Sequence, residues 1–462
     1  MYHPPSQFEA KSAAKHSALD LSLFSEVWYQ EARNGRNPGR RFTRVNKINR
    51  QLSAQGAKSL TPEARESLLS LRRTVVTEIL TDERRKVQGL LLDGSLKWYV
   101  RQIKPKSASL DQSKFQPAYT FAKTDNARYL LELVLQRAIR NQLRYVCLSR
   151  EATVQAVKTI AKSPASLQIV RTDIKSCFES MPRDLLVKLL IDSNKFPDFA
   201  IDAIKKLLDE YSRVSKSSTG IPRGIGLSAA LAEYYLQALD SELLKLPNVV
   251  SVYRYVDDIA IVFSCTSSYK KGPLARSNEA LVHSTIRSIG LEPNLSKSGC
   301  YSTGYKEQRE LFDFLGYSFE CENGKLKLSP TDEKCRKYEE RIKACFALYD
   351  SNLASGQSQA VSQALLRQQL VLLSSNYKLS GAKSNVITGH YFNNRFVTEK
   401  GKFSHLDNQV RRELSQRKTI NGAYRKKIMG SASFVVNFEL KKTISVSPRR
   451  LKALSKAWKN VR

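Results

Sequence analysis

The run Ser251-Val-Tyr-Arg-Tyr-Val-Asp-Asp-Ile-Ala-Ile-Val-Phe-Ser264 restricts what this chain can fold into more than any other stretch. Tyr, Val and Ile favour strands, and an Asp-Asp join favours a tight connection. The segment therefore reads as a β-hairpin that presents Asp257 and Asp258 at its tip. Adjacent carboxylates are costly to ionise together unless a divalent cation neutralises them. Paired hard-oxygen ligands are also what Mg²⁺ requires in phosphoryl transfer.

Charge narrows the partners. Lys and Arg number 76 against 43 Asp and Glu, a formal net charge of +33. Such an excess suits a long polyanion whose counterions are released on binding, so nucleic acid is the expected partner. At 462 residues the chain is long enough to bury a sizeable core in two or three lobes. No apolar stretch has the length of a membrane span, and the first residues lack the apolar centre of a secretion signal. The seven cysteines are odd in number and include no Cys-x-x-Cys pair, which points to a reduced protein without structural zinc. A cytoplasmic protein with no membrane partner is the expectation.

Residues 1 to about 100 read as helical and basic, with an Arg-rich loop at Arg33–Arg41 and a packed helix over Glu63–Leu92 whose stripe is Leu68, Leu71, Val75 and Ile79. The pattern breaks near Lys104–Ser109. Tyr119–Tyr129 then reads as two β-prone ends around a Thr-Asp-Asn-Ala turn, with Lys123 and Arg128 flanking it like a clip for a triphosphate. A basic amphipathic helix follows over Leu130–Arg144. The β run from Ser166 ends at Asp173, placing a carboxylate at the exit of a buried strand, and Met181-Pro-Arg-Asp184 opens a helix. Gly220-Ile-Pro-Arg-Gly-Ile-Gly226 must turn sharply or approach a ligand closely, and Leu227–Leu246 is helical. Beyond the aspartate hairpin come a helix over Asn278–Ile289, a turn at Gly290–Ser298 and the short run Leu311–Phe319. From about residue 330 the chain reads as mostly helical and basic.

Asp173, Gly220–Gly226, Asp257 with Asp258, Lys297 and Phe314-Leu-Gly-Tyr317 stand in an order and spacing that resemble the palm of reverse transcriptases, over roughly residues 115–320. The resemblance implies an α+β, right-hand polymerase fold with fingers and palm and a helical, basic, thumb-like C-terminal region. The divisions it implies are 1–114 (helical N-terminal region and fingers), 115–320 (fingers and palm) and 321–462 (thumb-like). It further implies that Asp173, Asp257 and Asp258 hold Mg²⁺, with Mn²⁺ as an alternative, for two-metal phosphoryl transfer from dNTPs. Lys297 corresponds to a general acid for pyrophosphate. Lys123, Arg128, Phe178, Arg223 and Gly224 fall at dNTP-binding positions, Phe178 being the ring that closes off the sugar 2′ position. Tyr255 lies at the primer terminus, and Phe314, Leu315, Gly316 and Tyr317 at the primer grip.

The glycine loop departs from the common Pro-Gln-Gly by carrying Pro222-Arg223-Gly224, and Ser228-Ala229 stands where Ser-Pro is common. The string from Gly220 to Glu233 is most similar to bacterial antiphage reverse transcriptases of the defence-associated and abortive-infection group. That likeness implies a dedicated noncoding RNA as template or scaffold, a DNA product, and a second copy or another protein as further partners. Two alternatives accompany it. One is template-independent or protein-primed DNA synthesis, for which Tyr391 and Tyr424 offer hydroxyls; the other is a catalytically silent RNA-binding scaffold. Phe178 disfavours an RNA-dependent RNA polymerase.

Overall fold

A computed structural model describes residues 47–49, 51–52, 60–103, 117–122, 126–145, 147–265, 273–303, 309–322, 325–379 and 387–458. The Arg33–Arg41 loop, the break at 104–109 and Lys123 lie outside the described residues.

Helix α1 (Pro62–Leu92) starts where Thr61 caps it, its side chain accepting from Ala64 N, with Pro in the first turn where no donor is lost. Its buried face is Val75, Val76, Ile79 and Val87. Leu71 is exposed, so the stripe begins one turn later than the spacing predicts. Strand β1 (Val100–Ile103) pairs antiparallel with β2 (Ala118–Phe121). This corrects the expected hairpin over Tyr119–Tyr129: β2 finds its partner upstream, and Asn126–Asn141 is helix α2. The physical reason lies downstream of the turn. Leu130, Leu131, Val134, Leu135 and Ile139 recur at helical spacing and are all buried, which outweighs the local strand preference of Tyr129.

Helix α3 (Arg150–Ala161) leads into β3 (Leu167–Asp173). Three helices follow: the one-turn α4 (Cys177–Ser180), α5 (Arg183–Asp192) and α6 (Asp198–Ser215). Helix α7 (Gly226–Leu244) then precedes the hairpin of β4 (Val249–Tyr255) and β5 (Asp258–Ser264). Helix α8 (Pro273–Ser288) and β6 (Gly299–Ser302) complete a four-stranded antiparallel sheet of order β4-β5-β3-β6.

This sheet is a wall shared by two cores, and the alternation of its strands shows how. Val170, Ile259, Ile261 and Phe263 join the core built with α1, α2 and α5–α7. Their neighbours Ile169 and Ala260 join the second core, which continues into the C-terminal region. Burial on both faces explains why β5 is apolar throughout its centre and why α7, covering it, is buried on most sides.

Strands β7 (Glu310–Phe314), β8 (Tyr317–Glu322) and β9 (Lys325–Pro330) form an antiparallel meander. The region beyond is led by α9 (Asp332–Ala354) and α10 (Gln359–Ser374), and it contains a sheet as well as helices. There β10 (Asn376–Leu379) lies between β11 (Ile387–Gly389) and a parallel β12 (Thr443–Val446).

Candidate active site

Asp173 is the last residue of β3, and its partner across the sheet is Asp258, the first residue of β5; Tyr255, the last residue of β4, is Asp258's partner on the other side. The hairpin turn between them is constrained from both ends. Ile174 N donates to Asp257 O at 3.2 Å, and Arg254 Nη1 donates to Val256 O at 3.1 Å. Val256 itself has φ 58°, a left-handed conformation that a β-branched residue seldom adopts. That strain is of the order of 1–2 kcal/mol and persists because the surroundings fix the turn.

The surroundings are a buried ionic network that no stretch of sequence announces. Arg254, 6% exposed, faces two carboxylates of α7. Its Nε lies 2.8 and 3.0 Å from the two oxygens of Asp240, and its Nη1 lies 3.1 Å from Glu233 Oε2. Tyr145 donates its hydroxyl to Asp240, and Cys147 its thiol to Glu233. Burial, with the bond to Glu233, pushes the Cys147 thiol up to about 12. The one sequence signal is that Glu233 and Asp240 stand seven apart on a helix that is otherwise largely apolar.

At the mouth of the sheet, Lys297 Nζ lies 2.7 Å from Asp173 Oδ2. This hydrogen bond is the main cause that holds the Lys297 ammonium above its ordinary value, so it is a charged group at neutral pH. Arg171 donates to Lys297 O at 2.8 Å and stands 3.6 Å from Asp258 Oδ1. Burial first, and then the Asp173 charge, raises the Asp257 carboxyl. Burial raises Asp258 too, against the opposing pull of Arg171.

Among the described residues no three His, Cys, Asp or Glu side chains already converge as a metal cage. The donor chemistry nevertheless fits a hard divalent cation. Asp173 Oδ1 is buried with no hydrogen-bond partner, and two further carboxylates beside it are destabilised as anions.

Phe178 and Glu179 lie on α4, next to the glycine loop. The Arg223 guanidinium makes a two-pronged ion pair with Glu179, at 2.9 and 3.0 Å, and lies over the Phe178 ring 5.0 Å from its centroid. Gly224 has φ 100°, and a Cβ there would stand 2.8 Å from Tyr119 O, so no larger residue fits without displacing β2.

Arg128 sits in the first turn of α2, not on a hairpin arm. It donates to Lys97 O at 2.7 Å, with its guanidinium 5.5 Å from the centre of the Tyr99 ring.

Phe314, Leu315, Gly316 and Tyr317 form the β7–β8 turn, with φ 47° at Leu315 and 76° at Gly316. Of these expected primer-grip residues, Phe314 and Tyr317 are 0% and 1% exposed, so their rings face the core. They anchor the turn in the second core. Arg150 donates to Leu315 O, and both Arg150 and Lys334 lie over the Tyr317 ring, 5.3 and 5.2 Å from its centroid. Burial, with Arg150 adding to it, lowers the Lys334 ammonium to about 7.

Residues 114–319 match the family described as reverse transcriptase (RNA-dependent DNA polymerase). An uncharacterised 91 kDa protein in the cob intron of Schizosaccharomyces pombe is 32% identical over 128 residues, 27% of this chain and 15% of that protein. The chain thus spans a small part of that relative's length. Apo telomerase from Candida tropicalis, truncated from its C-terminal domain, aligns with a TM-score of 0.35 at 11% identity, covering 51% of this chain and 55% of that one.

Proposed function

We propose that this chain, which carries a reverse transcriptase domain over residues 114–319 in a right-hand polymerase fold, is an RNA-directed DNA polymerase that extends a primer with dNTPs. The observation that carries the reading is the meeting of Asp173, Asp258 and the Asp257 turn at one end of one sheet, with Asp173 Oδ1 buried and unpartnered.

Asp173, Asp257 and Asp258 would hold Mg²⁺ or Mn²⁺. Bound there, the metal supplies a more acidic primer hydroxyl and charge neutralisation on the triphosphate. The chain's own groups do the rest. Lys297, held protonated by Asp173, carries a proton at Nζ for the departing pyrophosphate oxygen. Phe178 excludes a 2′-hydroxyl by bulk. Arg254 fixes the Val256 carbonyl and so the direction in which Asp257 leaves the turn. The backbone at Leu315 and Gly316, with Tyr255, orients the primer end. Lys123 and Arg128 belong to the triphosphate side of this reading. The division into residues 1–114, 115–320 and 321–462 as N-terminal region, fingers with palm, and thumb belongs to it as well.

The same reading extends to antiphage defence with an associated noncoding RNA, on the strength of the Gly220–Glu233 string and the +33 charge. One observation favours untemplated synthesis as a second reading. With Arg223 engaged by Glu179, the loop offers its Nε and Nη2 to neither a templating base nor a nucleotide.

The test is primer extension on a defined RNA with dNTPs and Mg²⁺, followed by sequencing of the product and of nucleic acid that co-purifies with the protein. A product complementary to the RNA is expected, with Asp257→Ala lowering incorporation by a thousandfold or more, on the order expected for loss of a metal ligand. A product of repetitive or random sequence supports the second reading, and full incorporation by Asp257→Ala refutes both. Plaque assays with the same variant test the defence role: loss of protection by Asp257→Ala is expected, and unchanged protection would separate defence from polymerisation and favour the silent scaffold.

A further inference from the structure

We infer that Arg223 is a positioning residue that sets discrimination between deoxy- and ribonucleotides by holding the Phe178 ring through Glu179. This rests on the polymerase reading above and goes beyond it by assigning how the sugar gate is kept in place.

Phe178 sits on a single helical turn, which cannot hold its own shape: α4 has four residues and is entered through Ser176 at φ 49°. Its rigidity is imported from the glycine loop. Ile221 N donates to Phe178 O at 2.7 Å, Gly220 N to Met181 O at 2.8 Å, and Thr219 Oγ1 to Glu179 O at 3.2 Å. The fit is tight enough that a Cβ at Gly220 would stand 2.5 Å from Glu179 O. These bonds fix the backbone, and the ring is packed against the first core on one side while remaining partly exposed on the other.

Arg223 supplies a further constraint. Its Nε and Nη2 are both bonded to Glu179, which fixes the plane of the guanidinium in two dimensions. Its Cζ lies 5.0 Å from the centre of the Phe178 ring, within range of cation–π attraction. Neither Gln nor Lys in its place reproduces the arrangement, since a Gln carries no charge and a Lys no fork. The main-chain oxygen of Arg223 also accepts from Tyr119 N at 2.7 Å, so strand β2 hangs from the residue that steadies the gate. A cation that simply gripped triphosphate would serve dNTP and rNTP alike, because the two share that group. A residue that steadies the ring alters their ratio.

The experiment measures kcat/KM for dGTP and for GTP opposite C on one primed RNA template with Mg²⁺, for wild type, Arg223→Gln, Glu179→Gln, Phe178→Ala and the two double variants with Phe178→Ala. Taking the ratio within each preparation cancels any loss of folded enzyme. Arg223→Gln and Glu179→Gln should each lower the dGTP preference about tenfold. In the Phe178→Ala background neither should change it further, since the ring they hold is gone. The inference is overturned if both single variants keep the wild-type ratio, or if they shift it equally with and without Phe178. If wild type incorporates neither nucleotide, the polymerase reading falls and takes this inference with it. A wild type that prefers dGTP beside single variants with an unchanged dGTP-to-GTP ratio sinks the inference alone.

Discussion

Lys297 Nζ lies 2.7 Å from one oxygen of Asp173, while the other oxygen of that carboxylate is buried without a partner. The carboxylate is thus neutralised on one side and buried without a partner on the other, the state that the proposed metal site would relieve. A buried oxygen left in that state costs stability.

Asp257 should reveal that cost. Its carboxyl is held above its ordinary value by burial and then by Asp173. The metal-free folded state therefore keeps a proton that the unfolded chain has released, and it loses stability as pH rises through the carboxylate range. At neutral pH the deficit is complete. Asp257→Asn should raise the metal-free melting temperature by about 2–4 °C, read by calorimetry. Mg²⁺ should raise the melting temperature of wild type and much less that of the variant.

Arg254→Ala should destabilise by about 3–5 kcal/mol, because it strands Asp240 and Glu233 as unpaired carboxylates behind the sheet. Urea unfolding measures the loss. Conditions that keep the variant folded should still show a lowered kcat, since Val256 O has lost its donor.

Val256→Gly should change stability by less than about 1 kcal/mol. Relief of the left-handed strain, about 1–2 kcal/mol, is offset by the greater freedom of Gly in the unfolded chain. A measured loss well beyond that would mean the Val256 side chain is held by packing, although it is 41% exposed.

Lys334 sits beside Arg150 over the Tyr317 ring with its ammonium lowered to about 7. Between that value and the ordinary lysine range the unfolded chain binds the extra proton, so stability rises with pH across this window; below about 7 both states are charged and the penalty is complete. Lys334→Met should accordingly stabilise at pH ~6 and give little or nothing at pH ~10. Urea midpoints at the two values check it.

The aspartate hairpin, Asp173 at a strand exit and the turn at Gly290–Ser298 were legible because each is a local pattern: period-two apolar runs ending in a charge, or a Gly/Pro/Asn turn. What was hidden is contact between distant positions. Arg254 meets residues 14 and 21 places away in α7, and the fork of Arg223 meets Glu179 44 places away. The Tyr119–Tyr129 hairpin was misread because Asp and Asn serve a turn and a helix start equally well, and only the burial of Leu130 to Ile139 decides between them. The burial of the Phe314 and Tyr317 rings was not legible either, because an aromatic beside a tight turn has the same spelling whether it faces solvent or core. The C-terminal sheet escaped because its parallel pair joins Asn376–Leu379 to Thr443–Val446, with several helices between.

That last pairing sets an order of events at the ribosome. The sheet bearing the aspartates has all its strands once residue 302 has emerged, whereas β10 must wait for residue 446 before its second edge is covered. At ordinary synthesis speeds the interval is on the order of ten seconds. For that time the nascent chain carries every strand of the aspartate sheet while one edge of β10 still waits for its parallel partner.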